Sequence, residues 1–337
     1  MFMRHFQNIL TKQTTAIAVD FAADALRCIA IEQAADGTWT RRVAFELPAA
    51  PLDRSMDDSA LREFSAKVSE AGLTGCKCRV TIASHLFRME MAQLTSISEN
   101  ELPKIAHFEA IGRFNVNEAD VMIQHASLPC KTAGKSALLL MAVPLLIIRN
   151  ATQAVMAAGL SPCSIENAAC AALHGAELRH DGFNTGLIAF MHIEPQQAVL
   201  LVMKDGQLQS VRAMQGDWAV AAPSTEVATN TNDNSLALEP FASQDAWRWS
   251  SLAEETLRCM RQACVESSLP TRMLVTGAPS SDHELLETFK GVCGLESVSL
   301  NSAGWSTGAE RLTSDTWAAA LGAASLDFKN ISSARAA

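Results

Sequence analysis

The sequence contains one strand–turn–strand pattern twice, in two segments about half a chain apart. The segments are 15–31 (TAIAVDFAADALRCIAI) and 186–203 (GLIAFMHIEPQQAVLLVM). Aligning Asp20 with His192 places apolar run on apolar run, and each segment reads as two buried strands joined by a short turn. A buried hairpin that recurs halfway along a chain indicates two related lobes. The pattern therefore predicts an α/β protein with two similar halves.

Composition limits the classes of function. The chain has 337 residues, of which 48% are hydrophobic and 19% charged, which is enough to bury two cores. Its net charge of −9 argues against nucleic acid as the main partner, because such binding normally needs a basic face. The longest apolar run, 137–148, is too short to span a bilayer. The nine cysteines have no four-ligand zinc spacing, so we expect no metal centre.

The alternation of predicted strands and helices divides the chain into two lobes and an inserted middle subdomain. The predicted divisions are 13–84 with 164–183 for the first lobe, 85–163 for the middle subdomain, 184–326 for the second lobe, and 1–12 and 327–337 for the tails. Within the second lobe we expect a reduced insertion at about 214–250, because the segment 221–239 is polar and small and cannot bury much surface.

The order of these pieces resembles the PilM family, the actin-like proteins of type IV pilus machines, with relatives MshI and the cytoplasmic domain of GspL. The motifs that carry the resemblance are IAVDFAADALRCIAI at the opening, KIAHFEA in the middle subdomain, LLLMAVPLLIIRNATQAVMAAGLSP after it, and AVLLVMKDGQLQSVR in the later lobe. The resemblance spans nearly the whole chain. It implies an actin-like two-lobed ATPase fold with RNase H-like lobes, an FtsA/PilM-type subdomain inserted in the first lobe and a reduced second-lobe insertion.

The two hairpin turns take the place of the phosphate-binding turns of active actin-like ATPases. In those proteins an Asp-x-Gly turn lets backbone N–H groups approach the phosphates, while the Asp positions a metal ion. Here Asp20 is present, but Ala22 stands where Gly is expected. In the second turn His192 replaces Asp and Glu194 replaces Gly, which puts a negative side chain where a phosphate would sit.

The resemblance therefore implies a degenerate nucleotide site. Its expected positions are Asp20, Ala22, Arg27, His192, Glu194 and Gly277. These changes favour a pseudo-ATPase with no catalytic residue, no metal and no bound cofactor. One alternative is a working ATPase or kinase that holds ATP and magnesium with Asp20 and the turn 22–27. Another is an FtsA-like filament former, although the C-terminal segment DFKNISSARAA is too short and polar for the membrane helix of FtsA.

The resemblance also implies an adaptor role. We expect a cytoplasmic scaffold of a type IV pilus, MSHA-like pilus or type II secretion platform, peripheral to the inner membrane through its partner, a PilN-like bitopic protein. In the family the partner's N-terminal tail lies as an extended peptide between the first lobe and the middle subdomain. The expected wall residues are Phe87, Met89, Met91, Ile105, Phe108 and Glu109. Further expected partners are the pilus or secretion ATPase, platform proteins and other copies of the chain.

Overall fold

The computed structural model describes residues 15–33, 39–95, 98, 100–128, 135–179, 183, 185–218, 244–264, 268–277, 279–280, 282–300 and 315–326. Within these ranges the chain forms two five-stranded sheets and one three-stranded sheet. The predicted tails and the segment 221–239 lie outside the described residues. In the described part of the chain, no helix is both long and apolar enough to cross a membrane.

The two large sheets have the same topology. The first contains β1 (Thr15–Phe21), β2 (Ala25–Gln33), β3 (Trp39–Pro48), β4 (Lys77–Ile82) and β8 (Ser161–Asn167), in the order β3–β2–β1–β4–β8. The second contains β9 (Leu187–Glu194), β10 (Gln197–Lys204), β11 (Gln207–Gln215), β12 (Arg272–Gly277) and β13 (Glu296–Ser299), in the order β11–β10–β9–β12–β13. In each sheet the first three strands are antiparallel and the last two join in parallel.

The strand registers make the two predicted hairpins equivalent. Asp20 on β1 lies beside Thr81 of the parallel strand β4, and His192 on β9 lies beside Thr276 of the parallel strand β12. Both hairpins are buried over nearly their whole length, since neighbouring elements cover both faces of each sheet. The alignment of Asp20 with His192 in the sequence therefore corresponds to equivalent positions in the fold.

The middle subdomain is a three-stranded antiparallel sheet covered on one face by a helix. Its strands are β5 (Arg88–Thr95), β6 (Val121–Leu128) and β7 (Lys135–Pro144), in the order β5–β7–β6. The helix α2 (Leu102–Phe114) places the small residues Ala106 and Ala110 against Leu138 and Leu140 of β7. The other face of this sheet turns toward the two lobes.

The remaining helices cover the two large sheets. They are α1 (Asp58–Glu70), α3 (Leu145–Ala157), α4 (Ala168–Arg179), α5 (Gln244–Ala263), α6 (His283–Cys293) and α7 (318–326). Asp57 caps α1 by accepting hydrogen bonds from the N–H groups of Ser59 and Ala60. Helices α5 and α6 complete the core of the second lobe.

The structure differs from the predicted divisions at the end of the middle subdomain. Helix α3, which the prediction places in that subdomain, belongs with the first lobe. Ile147, Ala151 and Val155, one turn apart on α3, pack in the core of the first sheet with Phe64 and Val68 of α1. The inserted subdomain is thus the segment from β5 to β7. The sequence LLIIRNATQAVMA is apolar on several sides, so its pattern does not indicate which sheet it covers.

A second difference concerns the end of the described chain. Helix α7, predicted as part of the second lobe, packs its small residues on the first sheet beside Ala16, Ala18 and Ala171. At Gly322 the two helices α7 and α4 meet closely, since an added Cβ would lie 1.8 Å from the carbonyl oxygen of Ala171. The chain therefore returns to the first lobe after completing the second.

Candidate functional site

The six predicted nucleotide-site residues lie together in the cleft between the lobes. Asp20, Ala22, Arg27, His192, Glu194 and Gly277 all line a single cavity of about 20 Å³. That volume holds one or two water molecules, whereas pockets for small ligands are roughly 300–1,000 Å³. The structure brings these six residues together, and the space between them is small.

The two equivalent strand positions, Asp20 and His192, each face a threonine hydroxyl. Thr81 donates its hydroxyl to Asp20 Oδ1 at 2.6 Å, and burial raises the pKa of Asp20 to about 6. His192 Nδ1 lies 2.9 Å from Thr276 Oγ1, and burial, with Arg27 nearby, lowers the pKa of His192 to about 4. At neutral pH the second turn therefore presents a neutral imidazole where a metal-positioning carboxylate would be needed.

The buried guanidinium of Arg27 is already engaged by acidic side chains of the first lobe. Its two terminal nitrogens donate to the carboxylate of Asp24 at 2.7 and 3.1 Å, and Nε donates to Glu46 at 2.8 Å. An arginine binds phosphate well only when its terminal nitrogens are free to donate to it. In this protein both terminal nitrogens of Arg27 donate to Asp24, so the guanidinium stabilises the turn of the first hairpin.

Glu194 connects the two lobes. Its side chain is only 6% exposed, and its Oε2 accepts a hydrogen bond from the backbone N–H of Ser84 at 2.8 Å. Ser84 opens a short 3₁₀ turn, Ser84–Leu86, that follows β4 of the first lobe. Burial raises the pKa of Glu194 to about 8, so at neutral pH the group is mainly the uncharged acid and not the negative side chain expected from the sequence. We call this contact between the Glu194 carboxyl group and the Ser84 N–H the inter-lobe latch.

Gly277 allows backbone to approach backbone beside Glu194. It has φ +103°, and an added Cβ would lie 1.9 Å from the carbonyl oxygen of Ile193. The next residue, Ala278, lies outside the described residues. At this position the end of β12 rests on the end of β9.

A second and much larger cavity, of about 680 Å³, lies where the middle subdomain meets both lobes. We call it the junction groove. Its lining includes Met122, Ala126, Leu128, Leu139, Met141 and Val143 of the middle subdomain, Phe87, Ile165, Glu166, Asn167, Cys170, Leu173 and His174 of the first lobe, and Leu201 and Leu208 of the second lobe. Its size and mainly apolar walls are those of a ligand site.

Three polar atoms in the groove wall have no hydrogen-bond partner among the described residues. They are Glu166 Oε2, Asn167 Nδ2 and His174 Nδ1, all of them buried. Glu166 Oε2 and His174 Nδ1 are 3.8 Å apart, beyond hydrogen-bonding distance, and the other oxygen of Glu166 is held by Arg79 at 3.0 Å. Glu166 and His174 still interact electrostatically with each other, so Asn167 Nδ2 is the atom of the three that favours an occupant with a hydrogen-bond acceptor of its own.

One border of the groove is a strand edge. Strand β6 is the last strand of the middle sheet, and its outer edge pairs with no other strand in the part of the chain that the structure describes. Met122, Ala126 and Leu128 of β6 contribute side chains to the groove itself. An apolar groove beside an open edge suits an extended peptide, because the edge offers backbone hydrogen bonds and the groove selects side chains.

The residues predicted to bind a partner are divided between different surfaces. Phe87 lines the junction groove, whereas Met89 and Met91 pack against the core of the second lobe. Ile105, Phe108 and Glu109 lie on α2, which covers the opposite face of the middle sheet. Phe108 is 69% exposed, and Glu109 accepts a hydrogen bond from Arg113 at 3.1 Å.

The groove residues of β6, β7 and α4 are absent from the sequence-based set. The available signal was the alternation of Leu139, Met141 and Val143 along β7. That alternation is hidden because Leu138, Leu140 and Ala142, which face α2, are apolar too. The described residues contain no group of three or more His, Cys, Asp or Glu side chains placed to hold a metal ion.

The duplicated sheets and the cleft between them define an actin-like two-lobed fold with an inserted subdomain. A solved structure described as a PilM–PilN type IV pilus biogenesis complex superposes with a TM-score of 0.69 at 15% sequence identity, covering 93% of this chain and 98% of that chain. At this identity the likeness shows the fold alone.

Two further structures are similar over most of their length. One is a Bacteroides thetaiotaomicron protein with an actin-like ATPase fold and unknown function (TM-score 0.49, 9% identity, 87% of this chain and 93% of that chain). The other is the cytoplasmic domain of EpsL, an inner-membrane component of the type II secretion system of Vibrio cholerae (TM-score 0.46, 10% identity, 78% and 82%). No protein-family model and no curated protein sequence matches the chain.

Proposed function

We propose that this protein is an adaptor: a cytoplasmic actin-like scaffold that holds the N-terminal tail of a PilN-like bitopic membrane protein in the junction groove. The machine is an inner-membrane platform of a type IV pilus, an MSHA-like pilus or a type II secretion system. The observation that carries the proposal is the contrast between a nearly filled cleft of about 20 Å³ and an apolar groove of about 680 Å³ beside an open strand edge. The likeness to the PilM–PilN complex over nearly the whole chain supports it.

The same proposal includes a pseudo-ATPase. The residues of the cleft do not fit ATP and magnesium, because the Glu194 side chain fills the second turn and Asp20 is buried beside Thr81. A phosphate brought to this cleft meets the acidic group of Asp20, while Arg27, the arginine in the described lining of the cleft, is already paired with Asp24 and Glu46. The adaptor works without hydrolysis.

Calorimetric titration with ATP and magnesium tests the pseudo-ATPase directly. We expect no binding heat at micromolar concentrations for the wild-type chain, because the space between the two turns is only about 20 Å³ and Arg27 is already paired with Asp24 and Glu46. We also expect Asp20→Ala to leave capture of the partner tail unchanged. Micromolar ATP binding that is lost in Asp20→Ala would establish the working ATPase instead.

The partner site is tested by titrating the full chain with a synthetic peptide of the partner's N-terminal tail. Ala126 is an exposed residue of β6 that lines the groove, so Ala126→Arg puts a charge into an apolar site without disturbing a core. We expect the Kd to rise by about tenfold or more, which corresponds to ~1.4 kcal/mol.

Ser127→Arg provides the matched control. Ser127 is the next residue of the same strand, is also exposed, and does not line the groove. We expect this variant to bind the peptide with the wild-type Kd. Equal Kd values for Ala126→Arg and the wild-type chain would exclude the junction groove as the docking site.

A further inference from the structure

A short chain of hydrogen bonds joins the cleft to the junction groove. Glu194 of the second lobe accepts from the Ser84 N–H at 2.8 Å, and the Ser84 hydroxyl is 3.3 Å from Asn167 Oδ1. Asn167 Oδ1 also accepts from the Ala169 N–H at 3.0 Å, at the start of α4. The other end of the same amide, Nδ2, is buried in the groove wall without a partner among the described residues. Asn167 therefore belongs to both sites.

The groove also depends on how the lobes sit against each other. Leu201 of β10 and Leu208 of β11 belong to the second lobe, yet they line the groove opposite Ile165 and Leu173 of the first. Any rotation of one lobe against the other changes the distance between these walls. The inter-lobe latch opposes such a rotation, because it is a buried hydrogen bond between the lobes.

We propose that the inter-lobe latch controls the junction groove: Glu194, acting through Ser84 and Asn167, holds the lobes in the arrangement that fits the groove to its occupant. The proposal rests on the proposed function in that the occupant is the partner's peptide. The Ala169 and Cys170 N–H groups hold Asn167 Oδ1 beside the Ser84 hydroxyl, which leaves Nδ2 in the groove wall, where a peptide carbonyl can accept from it. Groove binding and latch closure then favour each other, and the coupling is reciprocal.

In this arrangement the Glu194 side chain joins the two lobes across the cleft. The carboxyl oxygen and the backbone N–H form a contact between the lobes that needs no ligand. The groove is thereby formed in advance, which lowers the conformational cost of binding a flexible tail.

Hydrogen exchange of the full chain, read by mass spectrometry without any partner, tests the latch independently of the proposed function. In Glu194→Ala we expect faster exchange of the amides at 84–87 and, in the same variant, of the groove walls at 167–174 and 201–208. Glu194→Gln keeps a carbonyl oxygen for the Ser84 N–H, so we expect wild-type exchange in all three segments. Faster exchange at 84–87 with unchanged groove walls in Glu194→Ala would overturn the proposal.

The peptide titration supplies the second readout. If the partner tail binds, we expect Glu194→Ala and Asn167→Ala each to weaken it by about five- to tenfold, within the usual range of coupling between sites. If the tail binds the wild-type chain and Glu194→Ala with the same Kd, the coupling between the latch and the groove is contradicted, while the groove remains the proposed docking site. Absence of tail binding to the wild-type chain would instead contradict the proposed function, whatever the exchange shows.

Discussion

Gly277→Ala is expected to lower the free energy of unfolding by about 2–6 kcal/mol, the sum of backbone strain and overpacking. The glycine has φ +103°, which an L-amino acid rarely adopts, and its Cβ would lie 1.9 Å from the Ile193 oxygen and 2.8 Å from the Ile193 carbonyl carbon. Both contacts are backbone atoms of the paired strand β9, so the clash is relieved only by breaking the β9–β12 ladder beside the latch. Urea unfolding followed by circular dichroism measures the change.

Gly291→Ala is the matched control for this prediction. Gly291 lies in α6, and an added Cβ would meet no atom within 4 Å. We expect it to stabilise the protein by about 0.5–1 kcal/mol, the usual gain for Gly to Ala in a helix interior. A Gly277→Ala variant within about 1 kcal/mol of the wild-type protein would show that β12 and β9 are not in close contact at the cleft.

Gly322→Ala is expected to cost about 3 kcal/mol or more, because the new methyl group forces α7 away from α4. Its Cβ would lie 1.8 Å from the Ala171 oxygen and 2.6 Å from the Ala171 carbonyl carbon. Moving α7 outward also removes its packing on Ala16 and Ala18 of β1. The same urea titration measures the loss.

Gly112→Ala serves as the control here. Gly112 is in α2, where an added Cβ again has no neighbour within 4 Å, so the same substitution should raise stability slightly. If Gly322→Ala unfolded at the same urea concentration as Gly112→Ala, that result would contradict a close contact between α7 and α4 at Gly322.

The repeated hairpin was the most predictable part of this molecule. Two apolar strands that must be buried on both faces leave a strong local pattern in the sequence. The positions of the turn residues between the strands follow from that pattern. Asp20, His192 and Glu194 were found because each lies within one or two residues of a strand end that the sequence marks. The strand β13 leaves no such pattern, because its sequence, ESVS, is short and only partly buried.

The junction groove was not predictable in the same way. Its walls come from β6 and β7, from β8 and α4, and from β10 and β11, which are distant in sequence. None of these segments has a local feature that distinguishes a groove wall from a core face. The wall residues expected on α2 illustrate the limit: Phe108 is apolar and exposed, but the face of the sheet on which its helix packs is decided by the three-dimensional fold.

Photo-crosslinking tests the adaptor function most directly. A synthetic partner tail with a photoreactive residue in its central part is bound to the full chain, irradiated, and the crosslinked peptides are identified by mass spectrometry. We expect crosslinks to β6 and β7 within 121–143 and to 165–174, the walls of the junction groove. Crosslinks confined to the outer face of α2 around Phe108, or to the cleft around Asp20 and Glu194, would contradict the proposed docking site.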